Sequence, residues 1–143
     1  MCRSHAAVRG LLREIVEAAG DVSVADMEAG LEHLSRGTPR HTDLVLSVVE
    51  PYYRSLETGA RVVELARELG VARVHVVANK VRDEADREAV DRFCRARGVD
   101  LYAVVPHDAA VLESDRDGAA LLDGAPGAPA VKALADLASR LLG

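Results

Sequence analysis

An acidic pair and a glycine follow the first apolar run of the chain, in the segment V-S-V-A-D-M-E-A-G at 22–30. Asp26 and Glu28 are the carboxylates, and Gly30 comes two residues later. A carboxylate at a strand end can hold a magnesium-bound water, and a glycine lets a backbone N–H approach a phosphate closely. The segment therefore predicts magnesium and phosphate chemistry. In the alternative interpretation, Asp26 or Glu28 caps a helix that begins at Leu31.

Mostly polar residues also follow the later apolar runs. They are Glu50, Asn79, Lys80, Pro106, His107 and Asp108. An asparagine offers a hydrogen-bond donor and an acceptor, which suits the edge of a purine base, so Asn79 is a candidate ligand contact. Its simpler interpretation is a turn residue. A lone Lys80 is more often solvated than catalytic.

The sequence has two cysteines, Cys2 and Cys94, too few for a disulfide framework. Cys94 lies in an amphipathic helical pattern and is predicted to be a buried small hydrophobe. Cys2 forms a C-x-x-H pair with His5, which offers soft-metal ligands but only half of a tetrahedral set.

The elements that position these residues alternate along the chain. Apolar periodicity, with glycine and proline as end signals, predicts helices at Ser4–Ala19, Leu56–Leu69, Glu84–Arg97, from Ala109, and at Val131–Leu142. Apolar runs predict strands at Val22–Ala25, Leu44–Val49, Val74–Ala78 and Leu101–Val105. The Gly-, Ala- and Pro-rich stretch Gly118 to Pro129 is predicted to be a mobile connection.

Strands that are apolar on both faces and separated by helices predict an α/β fold, a mostly parallel sheet with helices on both faces. In such sheets ligands bind beyond the carboxyl ends of the strands, where the polar residues above are placed. The 143 residues, 49% hydrophobic and 29% charged, suit one domain.

The composition also excludes some function classes. A net charge of −5 disfavours a nucleic-acid partner. The longest apolar runs are far shorter than the ~20 residues of a membrane helix, so no membrane span is predicted. The first residues do not resemble a signal peptide, and we expect a cytoplasmic location.

Four segments together resemble the MinD/ParA-type deviant P-loop ATPases, and more narrowly the CooC-type accessory ATPases that help insert nickel into carbon monoxide dehydrogenase. They are D-M-E-A-G-L-E-H-L-S-R-G at 26–37, V-V-E-P at 48–51 with Ser55, Glu57 and Thr58 after it, V-A-N-K-V at 77–81 and V-P-H-D at 105–108. The resemblance covers nearly the whole chain, and its first block is the specific part.

The resemblance implies a site for ATP with Mg²⁺. Asp26 matches the catalytic aspartate on the magnesium side of the nucleotide, bound through water, and Gly30 matches the switch glycine near the terminal phosphate. Glu28 belongs to the same switch. The residues that the resemblance places around the base are Asn79, which reads adenine, with Lys80, Pro106 and Asp108. Met27 and the pair Tyr52-Tyr53 depart from the family pattern.

One family feature is absent from the sequence: the G-K-G-G-x-G-K-T-type phosphate loop and its strand. Without backbone donors and a lysine around the phosphates, this chain alone is predicted not to hydrolyse ATP. We expect residues 1–143 to be one partial nucleotide-binding domain, the C-terminal portion of a longer ATPase. In the family the missing strand lies between those that here are Val22–Ala25 and Leu44–Val49, so its loss leaves two edges unpaired.

The resemblance also gives Cys2 a meaning, because similar accessory ATPases carry a C-x-C pair at a dimer interface. Met1-Cys2 would be the last two residues of such a C-M-C. We therefore expect a homodimer that binds Ni²⁺ or Zn²⁺ through Cys2 with help from His5, and a metalloenzyme client such as carbon monoxide dehydrogenase.

Two alternatives remain open. The chain could be a non-catalytic dimeric interaction module that binds a protein partner or a metal. It could also be a phospho-acceptor of the receiver kind that uses Asp26 and Lys80. That reading ranks last, because Asn79 stands where a receiver needs its acceptor aspartate.

Overall fold

The computed structural model describes residues 22–27 and 42–143. Within them the strands are β1 (Leu44–Val49), β2 (Arg73–Val81) and β3 (Leu101–Pro106). The helices are α1 (Tyr53–Glu68), α2 (Glu84–Ala96), α3 (Ala109–Arg116), α4 (Leu121–Gly124) and α5 (Pro129–Leu142).

The three strands form a parallel sheet in the order β1-β2-β3. Val49 at the end of β1 pairs with Ala78 of β2, and Ala78 pairs with Val104 of β3. Parallel neighbours require crossover connections, which α1 and α2 supply. The predicted α/β class with a parallel sheet is confirmed.

Helices cover both faces of the sheet, as predicted. On one face, α1 and α2 pack over the strands, with Val63, Val90 and Cys94 buried against Val49 and Val76. On the other face, α5 packs over β2 and β3, with Ala130 and Leu137 against Val77 and Val105. The burial of Cys94 is confirmed, and desolvation raises the pKa of its thiol to about 11.

The approach of α1 to β1 depends on a glycine in the helix. Gly59 is buried, and the Ser47 hydroxyl donates a hydrogen bond to the Gly59 carbonyl at 3.4 Å. A Cβ atom at Gly59 would lie 2.3 Å from Val49 Cγ1. The missing side chain therefore sets how closely the helix lies on the strand.

The structure corrects the prediction of a strand at Val22–Ala25. Residues 22–27 contain no strand, and Val24 is 90% exposed. Extended backbone becomes a strand only where a neighbouring strand pairs with it, and no described strand pairs with these residues. The helix predicted at Ser4–Ala19 lies outside the described residues.

The predicted end of β2 at Ala78 is also wrong. The strand continues through Asn79 and Lys80 to Val81, because the buried Val81 again pairs with β3, opposite Pro106. The stretch predicted as a mobile connection, Gly118 to Pro129, contains the short helix α4. Among the residues described, no helix combines the length and apolarity needed to cross a membrane.

Candidate functional site at the carboxyl end of the sheet

The parallel register brings the end of β1 beside the end of β2. Val49 pairs with Ala78, so Glu50 follows β1 at the level where Asn79 and Lys80 continue β2. Lys80 Nζ donates to Glu50 Oε1 at 2.9 Å. This hydrogen bond, together with the carboxylate charge, raises the pKa of Lys80 above its ordinary value.

A bulge in β2 directs the side chain of Asn79. Lys80 has a φ of 56°, in the left-handed region, and the pairing register with β3 shifts between Ala78 and Val81. The Lys80 backbone N–H donates to Asn79 Oδ1 at 2.9 Å. The carboxamide oxygen is thus turned towards the backbone, and the Nδ2 group is left to donate elsewhere.

Asp108 closes the loop that follows β3. Its Oδ1 accepts a hydrogen bond from the Ala110 backbone N–H, and its Oδ2 accepts one from the Ala130 backbone N–H, both at 3.0 Å. One carboxylate therefore caps α3 and also holds the first turn of α5. Pro106 ends β3, and the His107 backbone N–H donates to the Val81 carbonyl at 2.8 Å.

Two further acids near the end of β2 are engaged within the protein. Asp83 caps α2 by accepting from the Asp86 backbone N–H at 2.9 Å. Asp86 accepts from Arg82 Nε at 2.9 Å and from Arg82 Nη2 at 3.1 Å. The hydrogen bonds from the Arg82 side chain and backbone hold the pKa of Asp86 below its ordinary value. Asp83, Asp86 and Asp108 are thus all occupied by protein donors.

The structure brings together four of the residues predicted from the sequence, since Val81 pairs with Pro106: Asn79, Lys80, Pro106 and Asp108. Asp26 is exposed and makes no hydrogen bond or ion pair with the described residues. Cys2, Glu28 and Gly30 lie outside the described residues. In the part of the chain that the structure describes, no three His, Cys, Asp or Glu side chains are grouped to hold a metal ion.

Sequence reasoning placed Glu50 at a strand end but missed its role. Its carboxylate pairs with Lys80, and its backbone N–H donates to Ser55 Oγ at 2.8 Å, which ties the end of β1 to the first turn of α1. The register of β1 against β2 would have revealed the pair, because it sets Glu50 beside the end of β2. Period-two patterns alone do not fix that register.

Comparisons with known proteins give relatives in sequence. No family model matches the chain. The chain is 39% identical over 126 residues to the carbon monoxide dehydrogenase accessory protein CooC of Rhodospirillum rubrum, covering 88% of this chain and 47% of that protein. It is 36% identical over 115 residues to an uncharacterised ATP-binding protein of Methanocaldococcus jannaschii, covering 80% and 45%. The chain thus spans about half the length of these relatives.

Solved structures share the fold. The cell division protein MinD of Aquifex aeolicus matches with a TM-score of 0.72 and 22% identity, over 94% of this chain and 59% of that one. The cell division ATPase MinD of Pyrococcus furiosus matches with a TM-score of 0.58 and 22% identity, over 82% and 48%. These matches confirm the predicted resemblance of the fold to P-loop proteins of the MinD type.

Proposed function

We propose that this chain, which is 39% identical to a CooC protein and similar in fold to MinD, is a member of the MinD/ParA-like family of P-loop ATPases and forms the base-binding part of an ATP-binding, CooC-like protein. The observation that carries the proposal is Asn79, which a bulge places at the carboxyl end of β2, with no hydrogen bond from its Nδ2 group to the residues that the structure describes. Open α/β sheets bind ligands at this end.

The hydrogen-bonding groups at the carboxyl end of β2 favour adenine over guanine. Adenine offers ring-nitrogen acceptors, which the Nδ2 group of Asn79 can meet. Guanine instead presents N–H donors on its pairing edge, and a free carboxylate is the group that would accept them. Four acids near this end of the sheet already accept hydrogen bonds from the protein: Glu50, Asp83, Asp86 and Asp108.

Pro106 and Asp108 are proposed to shape the loop beside the bound base. The charged carboxylate of Asp108 is not proposed to contact the base itself. Both carboxylate oxygens of Asp108 accept hydrogen bonds from backbone N–H groups of α3 and α5, so Asp108 contributes by fixing the conformation of the loop. A loop held in one conformation loses less entropy when a ligand binds. Lys80 lies at the same end of β2, and its backbone N–H in the bulge donates a hydrogen bond to Asn79 Oδ1.

Asp26, with Glu28 and Gly30, is proposed to serve the magnesium and phosphate side. Mg²⁺ prefers carboxylate oxygens and retained waters, and the exposed Asp26 carboxylate is not occupied by a described protein donor. When bound, Mg²⁺ would neutralise charge on the phosphates. These 143 residues include no phosphate loop, so we propose that they bind the base without hydrolysing ATP.

We further propose the finer role that the CooC relative suggests: an accessory protein in nickel insertion, acting as a homodimer on a metalloenzyme such as carbon monoxide dehydrogenase. Cys2 and His5 supply soft ligands for Ni²⁺ or Zn²⁺, and two copies would double the set. Size-exclusion chromatography with light scattering, with and without Ni²⁺, tests this role. A Cys2→Ser variant that keeps full nickel affinity would contradict it.

A second candidate is the non-catalytic interaction module. Apolar side chains are exposed around the end of β1 and the start of α1: Val48 at 60%, Tyr52 at 54% and Tyr53 at 77%. Exposed apolar surface of this kind is a feature of protein-binding sites. This candidate predicts partner binding that is indifferent to nucleotide.

Isothermal titration of the full chain with adenosine, ADP and GDP tests the proposed function. We expect adenosine and ADP to bind with similar affinity, because base contacts dominate, and both to bind more tightly than GDP. Asn79→Ala should abolish this preference, whereas the exposed Arg92→Ala should leave it unchanged. Equal binding of ADP and GDP, or no binding of either, would overturn the proposal.

A further inference from the structure

The conformation of Lys80 needs external support. Its φ of 56° is unfavourable for a residue with a Cβ atom, and Lys80 is the one non-glycine residue with positive φ in the described part of the chain. Such conformations persist where surrounding contacts determine them, and they concentrate at functional sites. Bulges likewise occur beside active sites, where they re-aim a side chain.

A short series of contacts supplies that support. The Ser55 hydroxyl of α1 accepts from the Glu50 backbone N–H at 2.8 Å, and the Glu50 carboxylate accepts from Lys80 Nζ at 2.9 Å. The Lys80 backbone N–H then donates to Asn79 Oδ1 at 2.9 Å. The start of α1 is thereby linked, through one ion pair, to the Asn79 carboxamide at the end of β2.

We propose that the Glu50–Lys80 ion pair is a positioning device for Asn79: it holds the bulge so that Oδ1 stays on the backbone and Nδ2 faces the purine. Glu50 and Lys80 are positioning residues in this role. The inference rests on the proposed function for its purpose, but not for its geometry, which is a property of the chain without ligand.

The exposure of the pair sets the size of the effect. The Lys80 side chain is 57% exposed and that of Glu50 is 32% exposed, so water screens their attraction. Breaking such a pair is expected to weaken ADP binding about two- to fivefold. The effect should shrink as salt is raised from 50 mM to 500 mM, because salt screens exposed charges.

The first experiment uses no ligand. In ¹⁵N-labelled full chain, the Asn79 side-chain amide signals are compared between wild type, Glu50→Gln and Lys80→Met. Glu57→Gln is the matched control, because Glu57 forms a similar 2.9 Å ion pair with Arg97 at comparable exposure, away from the bulge. We expect the Asn79 side-chain signals to shift in Glu50→Gln and in Lys80→Met and to keep their wild-type positions in the control. In the double variant that exchanges the charges, Glu50→Lys with Lys80→Glu, the signals should return to their wild-type positions.

The second experiment titrates the same proteins with ADP. The expected result is about two- to fivefold weaker binding in Glu50→Gln and Lys80→Met, with recovery in the exchanged pair. Unshifted Asn79 signals in Glu50→Gln, or ADP affinity equal to wild type in both single variants, would overturn the positioning role. If wild type itself binds no ADP, the proposed function fails, and the ligand-free spectra still decide whether the pair sets Asn79.

Discussion

Gly59 of α1 lies against Val49 of β1 so closely that a Cβ atom on the glycine would stand 2.3 Å from Val49 Cγ1. Both residues are buried, and the Ser47 hydroxyl also donates to the Gly59 carbonyl across this contact. The end of β1 and the start of α1 carry Glu50 and Ser55. The glycine contact therefore supports the geometry of the candidate site as well as the core.

Gly59→Ala is predicted to destabilise the fold. Alanine gains about 1 kcal/mol in helix propensity, but overpacking a buried contact costs about 1–3 kcal/mol, and the near neighbour here is a branched side chain in a buried strand. Urea unfolding followed by circular dichroism measures the difference. Gly127→Ala is the control, because a Cβ there meets no atom within 4 Å. A Gly59→Ala protein as stable as Gly127→Ala would contradict this packing.

Asp108→Ala should destabilise the carboxyl-end loop, because two backbone N–H groups lose their acceptor. Each lost cap costs about 0.5–2 kcal/mol, and the Ala110 and Ala130 amides are both affected. Hydrogen exchange by NMR should show faster exchange at these two amides. Asp108→Asn keeps one acceptor oxygen, so one of these two amides should still exchange slowly. Unchanged exchange at Ala130 in Asp108→Ala would show that the tether to α5 carries no stability.

The pairing of Asp86 with Arg82 predicts an acid-dependent stability. Hydrogen bonds from Arg82 lower the pKa of Asp86 in the folded state below its ordinary value of 3.8. A lowered folded pKa means that the stabilisation is fully present above the unfolded pKa and is lost as pH falls through the folded pKa. We expect the melting temperature of Asp86→Asn to fall less than that of wild type between pH 5 and pH 2. Parallel curves for the two proteins would contradict the pairing.

Cys94 is predicted to be unreactive in the folded protein. Its thiol is buried and its pKa is raised to about 11, so almost no thiolate is present at pH 8. In a Cys2→Ser background, 5,5′-dithiobis(2-nitrobenzoic acid) should label Cys94 slowly in buffer and at once in 6 M guanidinium chloride. Fast labelling in buffer would mean that the core around α2 opens readily.

Sequence patterns predicted the described fold well where a segment carries its own signal. β1 was predicted with its observed ends, and α2 starts at Glu84 as expected, because an apolar run and a helical periodicity with a glycine stop are local features. The prediction of a strand at Val22–Ala25 was wrong because an apolar pattern does not show whether a partner strand lies beside it. The predicted end of β2 was wrong because a bulge with a lysine in the left-handed backbone region has no local sequence signature.

The candidate site was predictable only in part, for the same reason. Asn79 and Lys80 could be placed at a strand end from the apolar run before them. The pairing of Lys80 with Glu50 depends on register, and the double cap by Asp108 joins residues 22 positions apart. These contacts arise from tertiary packing, so a pattern of single residues does not contain them.

The last prediction concerns Tyr102 of β3, which joins α5 to the sheet. The Arg140 guanidinium lies 4.1 Å over the Tyr102 ring and His75 stacks on the ring at 4.3 Å, so the two occupy opposite sides. The Tyr102 hydroxyl donates to the Arg140 carbonyl at 3.0 Å, and Arg140 Nη1 donates to the Tyr102 carbonyl at 2.6 Å.

Tyr102→Phe removes one hydrogen bond and keeps the stack, so it should cost about 0.5–1.5 kcal/mol. Tyr102→Leu also removes the ring stacking and the cation–π contact, each of which contributes about 0.5–1.5 kcal/mol, and should cost more. Urea unfolding of the two variants and of Arg140→Ala measures these steps. Because part of the contribution of Arg140 depends on this ring, its loss should cost less once Tyr102 is leucine, and the remaining cost reflects its hydrogen bond to the Tyr102 backbone carbonyl. Full additivity of Arg140→Ala and Tyr102→Leu in a double-mutant cycle would show that the two side chains stabilise α5 independently.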